Sequence, residues 1–331
     1  MSRTFQALVV RESDDKILTR SIEERNIDDL PLGEVLINVH YSSLNYKDGL
    51  SCNGNRGVTR HYPHTPGIDA SGVVESSKSK KFRAGDSVVV SSCDLGMNTA
   101  GGFGQFIRVP ADWVMHLPKG MSIRESMIYG TAGFTAALSV KVLKHQGVCP
   151  KNGPIVVTGA TGGVGSLSVA ILANLGYSVS ASTGKRDSED FLKELGASEV
   201  IDRDGVNDKY GKPLLKETWG GGIDTVGGAS LATILKACKE GAAVAATGMV
   251  ASTDLPTTVF PFILRGVSLL GVNSQATNMP LRQEIWSKLA HEWKPNKLEL
   301  LAIDCNLEQL DPEIYRILAG EQRGRVVVDM R

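Results

Sequence analysis

The sequence predicts an α/β protein in two domains, a mostly β domain followed by a doubly wound parallel sheet with helices on both faces. Three observations carry this. At 331 residues the chain is long for a single core and suits two. Up to about residue 120 it reads as short β-like runs punctuated by Gly, Pro and Asn turns. From Pro154 onward, strand and helix patterns alternate.

In chain order, FQALVV, EVLINVHYSS, ASGVVE, DSVVVSS and FGQFIRVP are the runs of the first domain, as an antiparallel barrel or sandwich would give. Near Ile123 the texture changes. SIRESMIYGTAGFTAALSVKVLKHQG places apolar residues at helical spacing, and Ser122 with Glu125 makes a capping box. This helix is expected to link the domains. PIVVT, GSLSVAILANLG, YSVSAS, SEDFLKELG, SEVID, GGIDTV, SLATILKACKEG and AAVAATG then alternate, with VSLLGV beyond. EIWSKLAHEW reads as a helix, and RGRVVVDM as a strand that returns to the first domain. The expected division is 1–124 with a return over about 300–331, and 125–299 for the second domain.

Lys plus Arg equals Asp plus Glu at 36 each, so no global basic field draws the chain to nucleic acid or anionic lipid. A small molecule is the expected ligand. The opening MSRTFQALVVRESDD has no secretory run, and no apolar stretch reads as long enough to span a bilayer, so a soluble, cytoplasmic protein is expected. Cys52, Cys93, Cys149, Cys238 and Cys305 are scattered, odd in number and without CxxC spacing. That argues against both a disulfide framework and a Cys-rich zinc lobe.

Gly159-Ala160-Thr161-Gly162-Gly163-Val164-Gly165 follows the apolar run IVVT and opens an amphipathic segment, the setting that makes a glycine motif meaningful. Gly162 would let the backbone approach a pyrophosphate, and Gly165 would let helix and strand pack closely. The helix start then offers N–H groups and partial positive charge to phosphates. The next strand, YSVSAS, ends where an NAD site carries an acid for the ribose 2'-hydroxyl. Here it ends in Ser182-Thr183-Gly184-Lys185-Arg186. Hydroxyls with Lys185 or Arg186 would bind a 2'-phosphate that a carboxylate would repel, which points to NADPH. At roughly 1.5–3 kcal/mol per charge-assisted bond, one such bond gives on the order of tenfold to a hundredfold preference over NADH, and a second adds to it.

Several motifs coincide: SSLNYKDGL, PGIDASGVV, AGDSVVV, GGFGQFIRVP, GTAGFTAAL, VTGATGGVGS, LGASEVID and PFILRGVSLLGV. Together the chain resembles the medium-chain dehydrogenase/reductase superfamily over essentially its whole length. Within it, LNYKD, PGIDASG, IDTVGG and LPTTVFPFILRGVSLLGVNS are most similar to the acrylyl-CoA reductase branch of the zinc-independent, quinone-oxidoreductase-like group. The resemblance implies a GroES-like β-barrel catalytic domain, a Rossmann NADPH-binding domain and a homodimer. The implied reaction is reduction of acrylyl-CoA to propionyl-CoA. The alternatives are a broader NADPH reductase of quinones, enones or enals, and a catalytically idle nucleotide binder. Where zinc-dependent members carry a Cys and a His-Glu pair, this chain has Asn45-Tyr46-Lys47-Asp48 and Gly67-Ile68-Asp69. No metal is expected; His61 and His64 near Cys52 are the only local cluster to test.

Reduction of an enoyl thioester needs hydride at the β carbon, stabilisation of the charge that develops on the thioester oxygen, and a proton at the α carbon. The resemblance puts the Tyr46 hydroxyl beside the nicotinamide as donor, cofactor contact or proton source; a phenol keeps its proton at neutral pH. Asn45 would hold the carboxamide or the substrate oxygen. Asp48 either takes part in catalysis or caps the helix that starts after NYKD. Thr131 and Thr135 would either face the cofactor or pack the linking helix. Arg203, Met249, Ile263 and Ser274 follow successive strands, where the edges of the cofactor pocket are expected, and Arg203 would add a cation near the 2'-phosphate. Arg56 and Arg60, in GNRGVTR, either grip the phosphates of coenzyme A or belong to an exposed polar loop.

Overall fold

A computed structural model describes residues 3–331, the side chain of Arg186 excepted. Two compact units emerge: residues up to 131 with 275–290 and 302–331, and residues 132–274 with 291–301. Residues 275–290 thus group with the first unit, where the sequence led us to expect the second. The reason lies in the helix Met279–Ala290. Its buried Arg282 donates to the carbonyl of Ser91 at 3.1 Å, and its buried Trp286 meets Tyr129 edge-on with ring centroids 6.5 Å apart.

In the first unit, Val35–Leu44 is the strand around which the sheet is built, because alternate residues Val35, Ile37 and Val39 reach the core. It pairs antiparallel with Asp69–Ser77 on one side and with Arg325–Asp329 on the other. The C-terminal run RVVVD is therefore an interior strand of this sheet, with Ala302–Asn306 parallel to it at the edge. Ser87–Ser91, Met115–His116 and Phe106–Val109 complete the seven strands. Leu18–Asn26 is a strand that its polar composition conceals; it exists because Thr4–Glu12 pairs with it residue for residue.

The second unit carries a six-stranded parallel sheet in the order Glu199–Asp202, Val179–Thr183, Ile155–Val157, Trp219–Asp224, Cys238–Ala246, Ser268–Gly271. Counted along the chain this is the order 3-2-1-4-5-6, the doubly wound arrangement in which ligands gather at the carboxyl ends of the strands next to the point of reversal. That point is the end of Ile155–Val157, which the glycine turn follows. Ile155, Val156 and Val157 are fully buried, as a central strand covered on both faces requires.

The capping box at Ser122 forms: Ser122 donates its N–H to Glu125 at 2.7 Å, and Glu125 donates its own to the Ser122 hydroxyl at 3.1 Å. The helix it opens, Ile123–His145, departs from expectation twice. It is long and apolar enough to cross a membrane, yet protein buries 83% of the relevant window, which marks a core helix. It is also broken at Gly130, where φ is 50° and ψ is −155°. A Cβ at Gly130 would stand 2.5 Å from both the Asp69 carboxylate and the Ser43 hydroxyl, so only glycine fits.

Candidate functional site

Asn45 follows the strand Val35–Leu44 and is the N-cap of the short helix Tyr46–Cys52. Its amide nitrogen donates to Asp69 Oδ2 at 2.8 Å, to Asp48 Oδ2 at 3.2 Å and to the Ser43 carbonyl at 3.2 Å. Those acceptors commit the amide inside the protein, so the expectation that Asn45 holds substrate or carboxamide through it gives way to one of positioning. Asp48 is fully buried and accepts from the N–H groups of Asn45, Gly67 and Ile68 at 2.8, 3.1 and 2.8 Å. Of its two readings, the structure gives it the capping one. Burial, with Asp69 nearby, pushes its carboxyl up to about 7, against the pull of those hydrogen bonds. Between these two anchored residues Tyr46 is 42% exposed.

Asp69, fully buried, is the hub. It accepts from the Ser43 hydroxyl at 2.8 Å, from the Thr131 N–H at 2.8 Å and from the Thr131 hydroxyl at 2.7 Å, besides Asn45. Through Thr131 it caps the helical run that resumes after Gly130, so the Thr131 hydroxyl is spent on this carboxylate. Arg325, 2% exposed, brings the compensating cation. It donates to the Ser43 hydroxyl at 2.9 Å and to the carbonyls of Leu44 and Ile128 at 3.0 and 3.1 Å. Burial draws its guanidinium below the usual range while Asp69 and Asp48 oppose that.

Ser92 and Cys93 flank this network with φ of 62° and 57°, a conformation that costs non-glycine residues on the order of 1–3 kcal/mol each. The Ser92 hydroxyl lies 2.9 Å from that of Thr131. In the loop after the short helix, Arg56 is committed to Glu12, to the Arg60 carbonyl and to the ring of Tyr62. It braces the loop through these contacts, and both Arg56 and Arg60 are exposed.

In the second unit, Gly162 is the N-cap of Gly163–Asn174. A Cβ on Gly165 would come within 2.2 Å of the Gly159 carbonyl, so the helix is seated on its own turn. A Cβ on Gly162 would meet only that carbonyl, at 3.4 Å, which leaves the space above the turn to a ligand approaching the first N–H groups of the helix. Ala160 donates its N–H to Ser182 at 3.0 Å, and the hydroxyls of Thr161 and Thr183 lie 3.4 Å apart, so turn and second strand are joined. Val164 lies in the first turn of this helix. Gly184 is bare backbone, and a Cβ there would stand 2.4 Å from Arg203 Nη2. The guanidinium of the exposed Arg203 thus lies against Gly184, just past the end of Val179–Thr183. The Arg186 side chain lies outside the described residues.

The other expected cofactor residues stand on or after separate elements of the second unit. Thr135 is buried, Met249 is 68% exposed after Cys238–Ala246, Ile263 is 72% exposed on Phe260–Arg265, and Ser274 follows Ser268–Gly271. Asp69 and Arg325 are the site residues that sequence reasoning missed. Each had a signal: a carboxylate opening an apolar strand, and an arginine entering the run RVVVD. Zinc does not fit here, because the Asp69 oxygens already accept hydrogen bonds and a buried guanidinium stands beside them. Among the described residues no group of three or more His, Cys, Asp or Glu is placed to hold a metal ion. His64 is buried and Cys52 fully so.

Two family models match the chain, Alcohol dehydrogenase GroES-like domain over residues 31–119 and Zinc-binding dehydrogenase over 163–292. The chain is 44% identical to "Acrylyl-CoA reductase AcuI" of Ruegeria pomeroyi over 98% of its length and 99% of that protein's. It is similar to the solved structure of Escherichia coli K-12 YhdH with bound NADPH at 41% identity and a TM-score of 0.94, covering 98% of this chain and 100% of the other. Bacillus subtilis yhfP with NAD bound is similar at 44% identity and a TM-score of 0.96, covering 99% and 100%.

Proposed function

We propose an activity for a chain that belongs to the medium-chain dehydrogenase/reductase superfamily, in its zinc-independent group with the acrylyl-CoA reductases: NADPH-dependent reduction of acrylyl-CoA to propionyl-CoA. The observation that carries it is the 44% identity to an acrylyl-CoA reductase across 98% of the chain. The residues present support the cofactor. The turn at Ala160–Val164 offers helix-start N–H groups to the pyrophosphate. Ser182, Thr183, Gly184, Lys185 and Arg203 receive the 2'-phosphate, with no carboxylate among them. One similar structure holds NAD and another NADPH, so the discriminating residues are this chain's own.

NADPH, when bound, supplies the hydride for the β carbon. Tyr46 donates a hydrogen bond to the thioester oxygen, where negative charge develops, and Asn45, Asp48, Asp69 and Arg325 hold the backbone on which Tyr46 stands. Thr131 belongs to that positioning set. Thr135, Met249, Ile263 and Ser274 remain assigned to the edges of the cofactor pocket.

Initial rates of NADPH oxidation with acrylyl-CoA, crotonyl-CoA and a simple quinone, each repeated with NADH, test the reading. Turnover of acrylyl-CoA with NADPH is the expected result; quinone turnover without thioester turnover would move the protein to the broader reductase reading. Arg203→Ala is expected to lower the preference for NADPH over NADH about tenfold to a hundredfold. An unchanged preference would remove Arg203 from the 2'-phosphate site.

The edge strand Ser268–Gly271 and its neighbours Val259, Phe260, Ile263 and Leu264, 45–72% exposed, support pairing with a second copy of the chain. A monomer in sedimentation at micromolar concentration would exclude that homodimer. Five free cysteines and the use of NADPH suit a cytoplasmic location.

A further inference from the structure

We infer that Gln275 is a positioning residue for Tyr46, the second arm of a clamp that starts at the strained pair Ser92–Cys93. The inference rests on the donor role assigned to Tyr46 above. Two chains of hydrogen bonds leave this pair and end on either side of Tyr46. The first runs from the Ser92 side chain. Thr131 spends its hydroxyl proton on Asp69 at 2.7 Å, so Ser92 is the donor in the 2.9 Å contact with Thr131. Asp69 in turn accepts from the Asn45 amide at 2.8 Å, and Asn45 immediately precedes Tyr46.

The second arm runs from the Cys93 backbone. Its carbonyl accepts from Gln275 Nε2 at 3.0 Å, and Gln275 Oε1 accepts from Lys47 Nζ at 3.2 Å. Lys47 immediately follows Tyr46. An amide side chain is suited to this place, because one end accepts from the ammonium while the other donates to a carbonyl.

The left-handed backbone at Ser92 and Cys93 is what sends the hydroxyl of one and the carbonyl of the next into separate arms. Consecutive non-glycine residues with positive φ are uncommon, and such strain persists where surrounding contacts hold it. Here the Ser92 N–H is fixed on the Ile68 carbonyl at 2.9 Å, and Arg282 donates to the Ser91 carbonyl at 3.1 Å. These contacts anchor the pair independently of the two arms.

The test is a double-mutant cycle. Gln275→Ala should lower kcat for acrylyl-CoA about tenfold, the cost of a donor held loosely, and leave KM for NADPH within about twofold. In a Tyr46→Phe background the same change should alter kcat less than about twofold, because there is no longer a hydroxyl to place. Lys47→Met, which keeps the stem and removes the ammonium, should reproduce Gln275→Ala, and the pair together should be no worse than either alone. Equal losses from Gln275→Ala in both backgrounds, or no loss in the wild type, would overturn the clamp. A strong Tyr46→Phe defect beside an unaffected Gln275→Ala enzyme would overturn the clamp alone. An unchanged Tyr46→Phe enzyme would overturn the donor role and the clamp with it.

Discussion

Replacing Tyr46 by Phe is expected to lower kcat for acrylyl-CoA about a hundredfold and to leave KM for NADPH nearly unchanged. The change removes one oxygen from a ring whose packing it preserves. What is lost is a hydrogen bond to the thioester oxygen that strengthens as charge builds there, so the loss falls on the reaction step rather than on binding. Tyr46 suits that task because it is 42% exposed while its neighbours are committed: the Asn45 amide nitrogen donates to Asp69 and Asp48, and Asp48 accepts three backbone N–H groups. Steady-state rates from the absorbance of NADPH, with both substrates varied, check this. An unaltered kcat, or a change confined to KM for NADPH, would assign the hydroxyl to something other than the developing charge.

Arg325→Met should destabilise the protein by about 3–5 kcal/mol, the cost of leaving buried acids without their cation. Asp69 and Asp48 have no exposure to water, and Ser43, Leu44 and Ile128 would each lose a donor. The defect should also depend on pH. In the wild type the Asp48 carboxyl sits at about 7, above the roughly 3.9 of an unfolded aspartate. Its contribution to stability is therefore complete below pH ~4 and is lost as pH rises through about 7. Without Arg325 its proton is held to still higher pH, so the loss continues past neutrality in the variant after it has levelled off in the wild type. The gap between the two should widen from about pH 6 to about pH 9, by at most ~1.4 kcal/mol per pH unit. Urea unfolding across that range measures it, and a gap that narrows would contradict the assignment of Arg325 to these acids.

Much of the fold was legible because it is written in local pattern. The alternation from Pro154 onward, the fully buried run IVV and the glycines after it are period and turn signals, and the parallel sheet follows them. Leu18–Asn26 escaped notice because its residues are polar, and what makes it a strand is a partner elsewhere in the chain. EIWSKLAHEW reads as a helix of the second domain, whereas the helix runs Met279–Ala290 and groups with the first unit, because no local pattern states which core Trp286 and Arg282 enter.

The candidate site divides in the same way. The class of cofactor turn and the missing acid at the end of Val179–Thr183 are legible in the residues alone, since each depends on residue type at a known position along one segment. The assembled fold makes Asn45 and Asp48 internal supports, braces Arg56 on Glu12, and joins the buried Asp69 and Arg325 through the Ser43 hydroxyl. The physical reason is distance along the chain. Residues 45, 69, 131 and 325 meet through hydrogen bonds that form only when strands from both ends of the chain share one sheet, and a buried charge reveals its role only when its partner is in place.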